Sequence, residues 1–262
     1  MGFKIRSYKI ESKKLNDRQE IRIVFLSDLH LIEHGKNNHK LISVIHTINP
    51  DIILVGGDMV VGKEECSEAT AEYLLTKLAS DYKILYALGN HEQKLKQKKE
   101  RFGERYTLYQ ERLAAAGVCF LDNRRISLSI KGKTIVFHGL NLPLKYYKRF
   151  ERHQLLMDEI QSYLGIIDDS DTINILLAHH PRYADVYFAW GADLILSGHV
   201  HGGVMRFGKK ALISPDIQLF PKYGYGKIKR GDQTMIISGG IGEHTIPFRF
   251  FNPRELVLIE IK

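Results

Sequence analysis

Short apolar runs that do not alternate with polar residues constrain this chain most. Ile21–Leu26, Ile52–Val55, residues 84–88 and Ile173–Ala178 are strand-length and apolar at nearly every position. A strand with one wet face would place a polar residue at every second position, so these runs read as strands buried on both faces, as in parallel sheets covered by helices. Between them the pattern changes period. Leu41, Val44, Ile45 and Ile48 recur at helical spacing until Pro50, and further helices are predicted near 69–78 and 105–116.

The second half carries a different signal. Strands predicted at 126–130 and 134–138 flank Lys131-Gly132-Lys133, a hairpin signature, and 235–238 and 256–261 read as further strands. Antiparallel pairing is therefore expected to be richer there. Two mixed sheets packed face to face with helices outside, an α/β four-layer αββα sandwich, accommodate this order.

With 262 residues and 44% hydrophobic content, and no Pro/Gly/Ser-rich linker, the chain is expected to form one domain over 1–262. The longest apolar runs fall far short of the ~20 residues of a membrane span. The first residues show no apolar signal segment. A cytoplasmic protein is expected, with peripheral contact to a membrane as a second expectation. The net charge of +8 favours anionic partners, meaning phosphorylated small molecules or lipid head groups, and no dedicated nucleic-acid-binding module accompanies it. Cys66 and Cys119 are too few for a disulfide framework.

Five clusters of metal-ligand residues follow the predicted strands: Asp28-Leu29-His30, Gly57-Asp58, Gly89-Asn90-His91-Glu92, His179-His180-Pro181 and Gly198-His199-Val200-His201. In layered α/β folds, loops at the carboxyl ends of strands project side chains into one crevice. The clusters are thus expected to converge, with the glycines before Asp58, Asn90 and His199 letting the backbone approach closely. Oxygen and imidazole donors without cysteine suit manganese, iron or zinc.

In content and order these clusters resemble those of the calcineurin-like metallophosphoesterase superfamily, along almost the whole chain. The resemblance implies two divalent metal ions, manganese or an iron/manganese pair preferred and zinc admitted. It implies Asp28, His30 and His201 on one metal, Asn90, His179 and His199 on the other, and Asp58 bridging. A hydroxide between the metals is the implied nucleophile. His91 is implied as a catalytic residue that binds no metal and assists the leaving group, with Glu92 orienting its ring. His180 is expected to line the cleft and His138 to be a core histidine.

The reaction so implied is hydrolysis of a phosphate ester, most simply a phosphodiester. A pyrophosphate hydrolase acting on a nucleotide-linked lipid, a nuclease and a non-catalytic metal-binding scaffold are the alternatives. Weaker signals bear on substrate. A cap segment near 141–165 is expected to offer Lys145, Lys148 and Arg149 to a phosphate and Tyr146 or Phe150 to a base or lipid. The basic run Lys94, Lys96, Lys98, Lys99 and Arg101 is a candidate for steering anions. Gly239-Gly240-Ile241-Gly242 and Pro247-Phe248-Arg249-Phe250 resemble a bacterial branch of the family whose members often carry an N-terminal anchor, which this chain is expected to lack. Arg249 joins the candidates for substrate binding.

Overall fold

In the computed structural model, which describes residues 2–15, 20–148, 151, 153–167, 171–208, 210–213, 219–243 and 249–262, the apolar runs become inner strands of two sheets. In chain order the strands are β1 (Lys4–Ile10), β2 (Ile21–Leu26), β3 (Ile52–Val55), β4 (Ile84–Tyr86), β5 (Val118–Phe120), β6 (Arg124–Ile130), β7 (Lys133–Leu140), β8 (Ile173–Ala178), β9 (Leu194–Ser197), β10 (Met205–Phe207), β11 (Lys210–Ile213), β12 (Gly226–Arg230), β13 (Gln233–Ile237) and β14 (Glu255–Ile261). The helices are α1 (His39–Ile48), α2 (Ala69–Ala79), α3 (Asn90–Gln97), α4 (Lys99–Phe102), α5 (Arg105–Ala115), α6 (Met157–Leu164) and α7 (Ala184–Trp190).

One six-stranded sheet has the order β1-β14-β2-β3-β4-β5 and the other β12-β13-β9-β8-β7-β6, while β10 and β11 pair separately. Strands β2 to β5 are parallel, and β14 enters the first sheet antiparallel to β2 and parallel to β1. In the second sheet β7, β8, β9 and β13 are parallel; only the edge pairs β6–β7 and β12–β13 are antiparallel. Antiparallel pairing is thus confined to its edges, because short hairpins join edge strands while α6 and α7 carry the crossovers between parallel ones. At the predicted hairpin Ile130 pairs with Lys133, and the two turn residues Lys131 and Gly132 both have positive φ, the geometry that matches strand twist.

The inner faces meet between the sheets. Ile23, Phe25, Leu54 and Leu85 pack against Ile135, Phe137, Ile175 and Leu196. Neighbouring residues of the same strands point the other way: Val24, Leu26 and Ile53 pack under Leu41, Leu74 and Tyr109, and on the far side Leu176 and Ile195 pack under Ile160 and Tyr187. This double burial is why the strands read as continuous apolar runs, and the result is a four-layer αββα sandwich. β1 left no such signal because it is an edge strand whose residues are mostly exposed or half-buried.

Within 141–165, Leu142, Tyr146, Leu155, Ile160 and Leu164 are buried in the core between α6, α7 and the second sheet. Tyr146 therefore has no face free for a base or lipid. Its hydroxyl donates to Glu159 and its ring meets Tyr183 edge-on at 5.3 Å. Arg149 and Phe150 lie outside the described residues.

Candidate metal centre

The loops that follow β2, β3, β8 and β9, with the start of α3 after β4, bring the five clusters together. Asp28, His30, Asp58, His199 and His201 all adopt positive φ, between 49° and 65°. For residues other than glycine this left-handed conformation costs about 1–2 kcal/mol each. Its repetition turns each strand end sharply into one crevice. Gly57, at φ +91°, sits where a Cβ would lie 2.3 Å from the Gly89 nitrogen, so only glycine lets these two loops touch.

Three groups of side chains have ligand atoms within 4.8 Å of one another: Asp28, His30 and His201; His30, Asp58 and His91; and Asp58, His179 and His199. The first holds the three residues implied for one metal, and the third holds His179 and His199, implied for the other, together with Asp58; Asp58 and His30 recur in the second. Asn90, the first residue of α3, has a buried Oδ1 with no hydrogen-bond partner.

Hydrogen bonds fix which atoms face the crevice. His179 Nδ1 donates to the Gly56 carbonyl at 2.6 Å, leaving Nε2 at 3.1 Å from Asp58 Oδ2. Two buried lone pairs at that distance repel unless a cation lies between or beside them. In the metal-free protein a proton meets that need: burial alone would lower the His179 pKa, but the Asp58 and Asp28 carboxylates outweigh it and raise it to about 9. Burial lifts Asp28 to about 6, while Asp58 is drawn well below the usual range because the imidazoles around it outweigh its burial. Asp28 Oδ2 has no hydrogen-bond partner. Orphaned acceptors, shared carboxylates and imidazoles oriented by backbone carbonyls are what a divalent-metal site requires, so the residues fit the implied ions.

The other half is held from behind. Arg249 donates to His201 Nδ1 at 3.0 Å and to the carbonyls of Gly239 and Gly242 at 2.7 and 2.6 Å. Having only donors, it makes Nδ1 the acceptor, so Nε2 of neutral His201 carries the proton, 3.3 Å from Asp28 Oδ1. Ligation through Nε2 would place the ring proton on Nδ1, and the Arg249 contact there would have to give way. Arg249 thus lies behind His201 and is almost entirely buried, with its ε nitrogen 3.6 Å from Glu243.

His91 is oriented by Gly62. The Gly62 N–H donates to His91 Nδ1 at 2.8 Å, so the neutral ring carries its proton on Nε2, while the His91 backbone N–H donates to Asp58 Oδ1 at 2.8 Å. Glu92, expected to orient the His91 ring, does something else. Its buried carboxylate accepts from the backbone N–H groups of Asp58, Met59 and Gly89 at 2.9, 2.8 and 3.0 Å and from the Tyr86 hydroxyl at 2.7 Å. As the third residue of α3 it reaches back toward the helix start and ties the Asp58 loop to the Asn90 loop.

The remaining candidates fall outside this cluster. Lys145 lies over the Tyr146 ring and 3.9 Å from Glu159, and Lys148 pairs with Glu151. Lys96, Lys99 and Arg101 pair with Asp122, Glu104 and Glu64. His138 is buried against Asn174 and Trp190. His180 is buried between Tyr147 and His199, with ring centroids 5.4 and 4.2 Å away. Sequence reasoning missed Tyr147, whose ring faces His179, His180 and His199 and whose buried hydroxyl has no hydrogen-bond partner. No pattern distinguished it from Tyr146 beside it.

The fold and the histidine–aspartate cluster define a metal-dependent hydrolase of phosphate esters. The family model for calcineurin-like phosphoesterases matches residues 21–203, and the chain belongs to that family. An uncharacterized metallophosphoesterase of Aquifex aeolicus is 27% identical over 261 residues, covering 99% of this chain and 92% of that protein. A Bacillus subtilis protein, YpbG, is 26% identical over 254 residues, or 95% and 83% of the two chains. A Helicobacter pylori metallophosphoesterase is 28% identical over 266 residues, but this chain spans only 64% of its length. Among solved structures, a putative 5'-nucleotidase from Staphylococcus aureus superposes with a TM-score of 0.52 at 13% identity, over 85% of this chain and 49% of that one, a likeness of fold alone.

Proposed function

We propose that this protein is a dinuclear-metal phosphodiesterase, with Asp28, His30 and His201 around one ion, Asn90, His179 and His199 around the other, and Asp58 between them. One observation carries the reading: the Asp28–His30–His201 and Asp58–His179–His199 groups are joined by an intervening group that shares His30 with the first and Asp58 with the second. Two divalent ions held there would activate a water and neutralise the phosphoryl oxygens. The donor set favours manganese or an iron/manganese pair, with zinc admitted, since it offers carboxylate, amide and imidazole but no thiolate.

The chain's own residues supply the rest. Asp58 holds the ligand sets together and, through Oδ1, the His91 backbone. The Gly62 N–H keeps neutral His91 in the tautomer that presents Nε2–H, which donates a hydrogen bond to the departing oxygen and stabilises its developing charge while the ring stays neutral.

Hydrolysis of bis-p-nitrophenyl phosphate and p-nitrophenyl phosphate with manganese, measured side by side with Asp58→Ala as control, tests this. Metal-dependent turnover favouring the diester, lost in the variant, is expected. Preference for the monoester would overturn the diesterase assignment, and no turnover of either with any divalent metal would overturn the enzyme reading.

A further inference from the structure

A pocket of about 220 Å³ opens beside His91, lined by Leu31, Ile32 and Val61 and, among polar groups, by His30, His91, Lys63 and Glu243. We infer that this pocket is the leaving-group subsite and takes a compact apolar or aromatic alcohol. The inference rests on the role of His91 given above. The leaving oxygen that accepts the His91 Nε2–H hydrogen bond departs on the side of His91, and His91 and His30 are the two members of the histidine–aspartate cluster that line this pocket. Its chemistry is set by its walls. Three aliphatic side chains reward apolar area on a bound group. Its modest volume suits one ring or a short alkyl group.

Leu31 is 46% exposed at the mouth, so its replacement alters the wall without opening the core. The test compares methyl phenyl phosphate with methyl trifluoroethyl phosphate on wild type and Leu31→Gln. The intrinsic reactivity of each ester cancels in the ratio between the two proteins. The phenyl preference is expected to fall about fivefold to tenfold in Leu31→Gln, through KM, in line with the cost of losing one or two methylene contacts. An unchanged preference would overturn the subsite.

A second readout needs neither metal nor turnover. Cys66 also lines the pocket, whereas Cys119 lies on β5. Benzyl alcohol is expected to slow iodoacetamide labelling of Cys66 several-fold without slowing Cys119, and glycerol to slow neither. Protection with no phosphoester turnover would sink the reaction while keeping the pocket as an apolar binding site; turnover without protection would sink the subsite and leave the reaction standing.

Discussion

Glu92 sets up the sharpest energetic prediction. Its carboxylate is fully buried, and both oxygens are filled: Oε2 takes the N–H groups of Asp58 and Gly89, and Oε1 takes the Met59 N–H and the Tyr86 hydroxyl. Glu92→Gln keeps the shape and replaces one oxygen by an amide NH₂. If that NH₂ points toward Met59 and Tyr86, the tyrosine hydroxyl can rotate and accept, but the Met59 N–H and the long 3.4 Å bond from the Val60 N–H are lost; if it points the other way, the Asp58 and Gly89 N–H groups are both orphaned. The milder case leaves one well-bonded buried donor unsatisfied, about 1–3 kcal/mol, and removes the charge from the two N–H bonds that remain, about 1 kcal/mol each. The sum is about 3–5 kcal/mol, which at about 2–4 °C per kcal/mol for a domain of this size lowers the melting temperature by about 6–20 °C.

Thermal unfolding of EDTA-treated protein, followed by circular dichroism, isolates this term from metal binding. Because the same bonds hold the Asp58 and Asn90 loops together, manganese affinity should fall as well. A Glu92→Gln protein that melts within about 2 °C of wild type would refute the assignment of Glu92 as the brace between the two loops.

His91→Asn should retain manganese, measured by metal content after dialysis, while turnover falls about 10²–10³-fold, the usual cost of removing one preorganised donor to developing charge. Gly57→Ala should destabilise by about 2–4 kcal/mol in denaturant titration, from its positive φ and the collision with Gly89, whereas Gly117→Ala, at φ +100° in open space, should cost only the backbone share of about 1–2 kcal/mol. Burial holds His138 below the usual histidine range despite its bond to Asn174. The unfolded chain therefore takes up this proton first, so the stability is present above the unfolded pKa of about 6.5 and is lost as pH falls, by at most about 1.4 kcal/mol per pH unit; His138→Gln should lessen that slope in denaturant titrations between pH 7 and 5. Tyr147→Phe removes a buried hydroxyl without a partner, so the metal-free protein should melt at the same temperature or higher, and a loss of more than about 1 kcal/mol would show that the hydroxyl is satisfied after all.

How far the sequence revealed this molecule depended on which constraint acts at each position. Buried parallel strands must be apolar on both faces, so β2, β3, β4 and β8 were legible, as were the ligand clusters at their ends. Metal-ligating side chains admit few substitutes, and their order along the chain follows from the topology that collects them. β1 was not legible, because an edge strand is held by backbone bonds to β14 that almost any residues can make. Nor was the division of labour between His91 and Glu92. The tautomer of His91 is set by the Gly62 N–H, a donor nearly every residue possesses, and the reach of Glu92 to Asp58 depends on an approach of two loops 34 residues apart. Tyr146 and Tyr147 make the same point at one step of the chain: successive residues of a 3₁₀ turn face different ways, one into the core beside Tyr183 and one toward the metal ligands. Chemistry carried by side-chain type is therefore readable from a single sequence, whereas chemistry carried by backbone donors and side-chain direction appears only once the chain is folded.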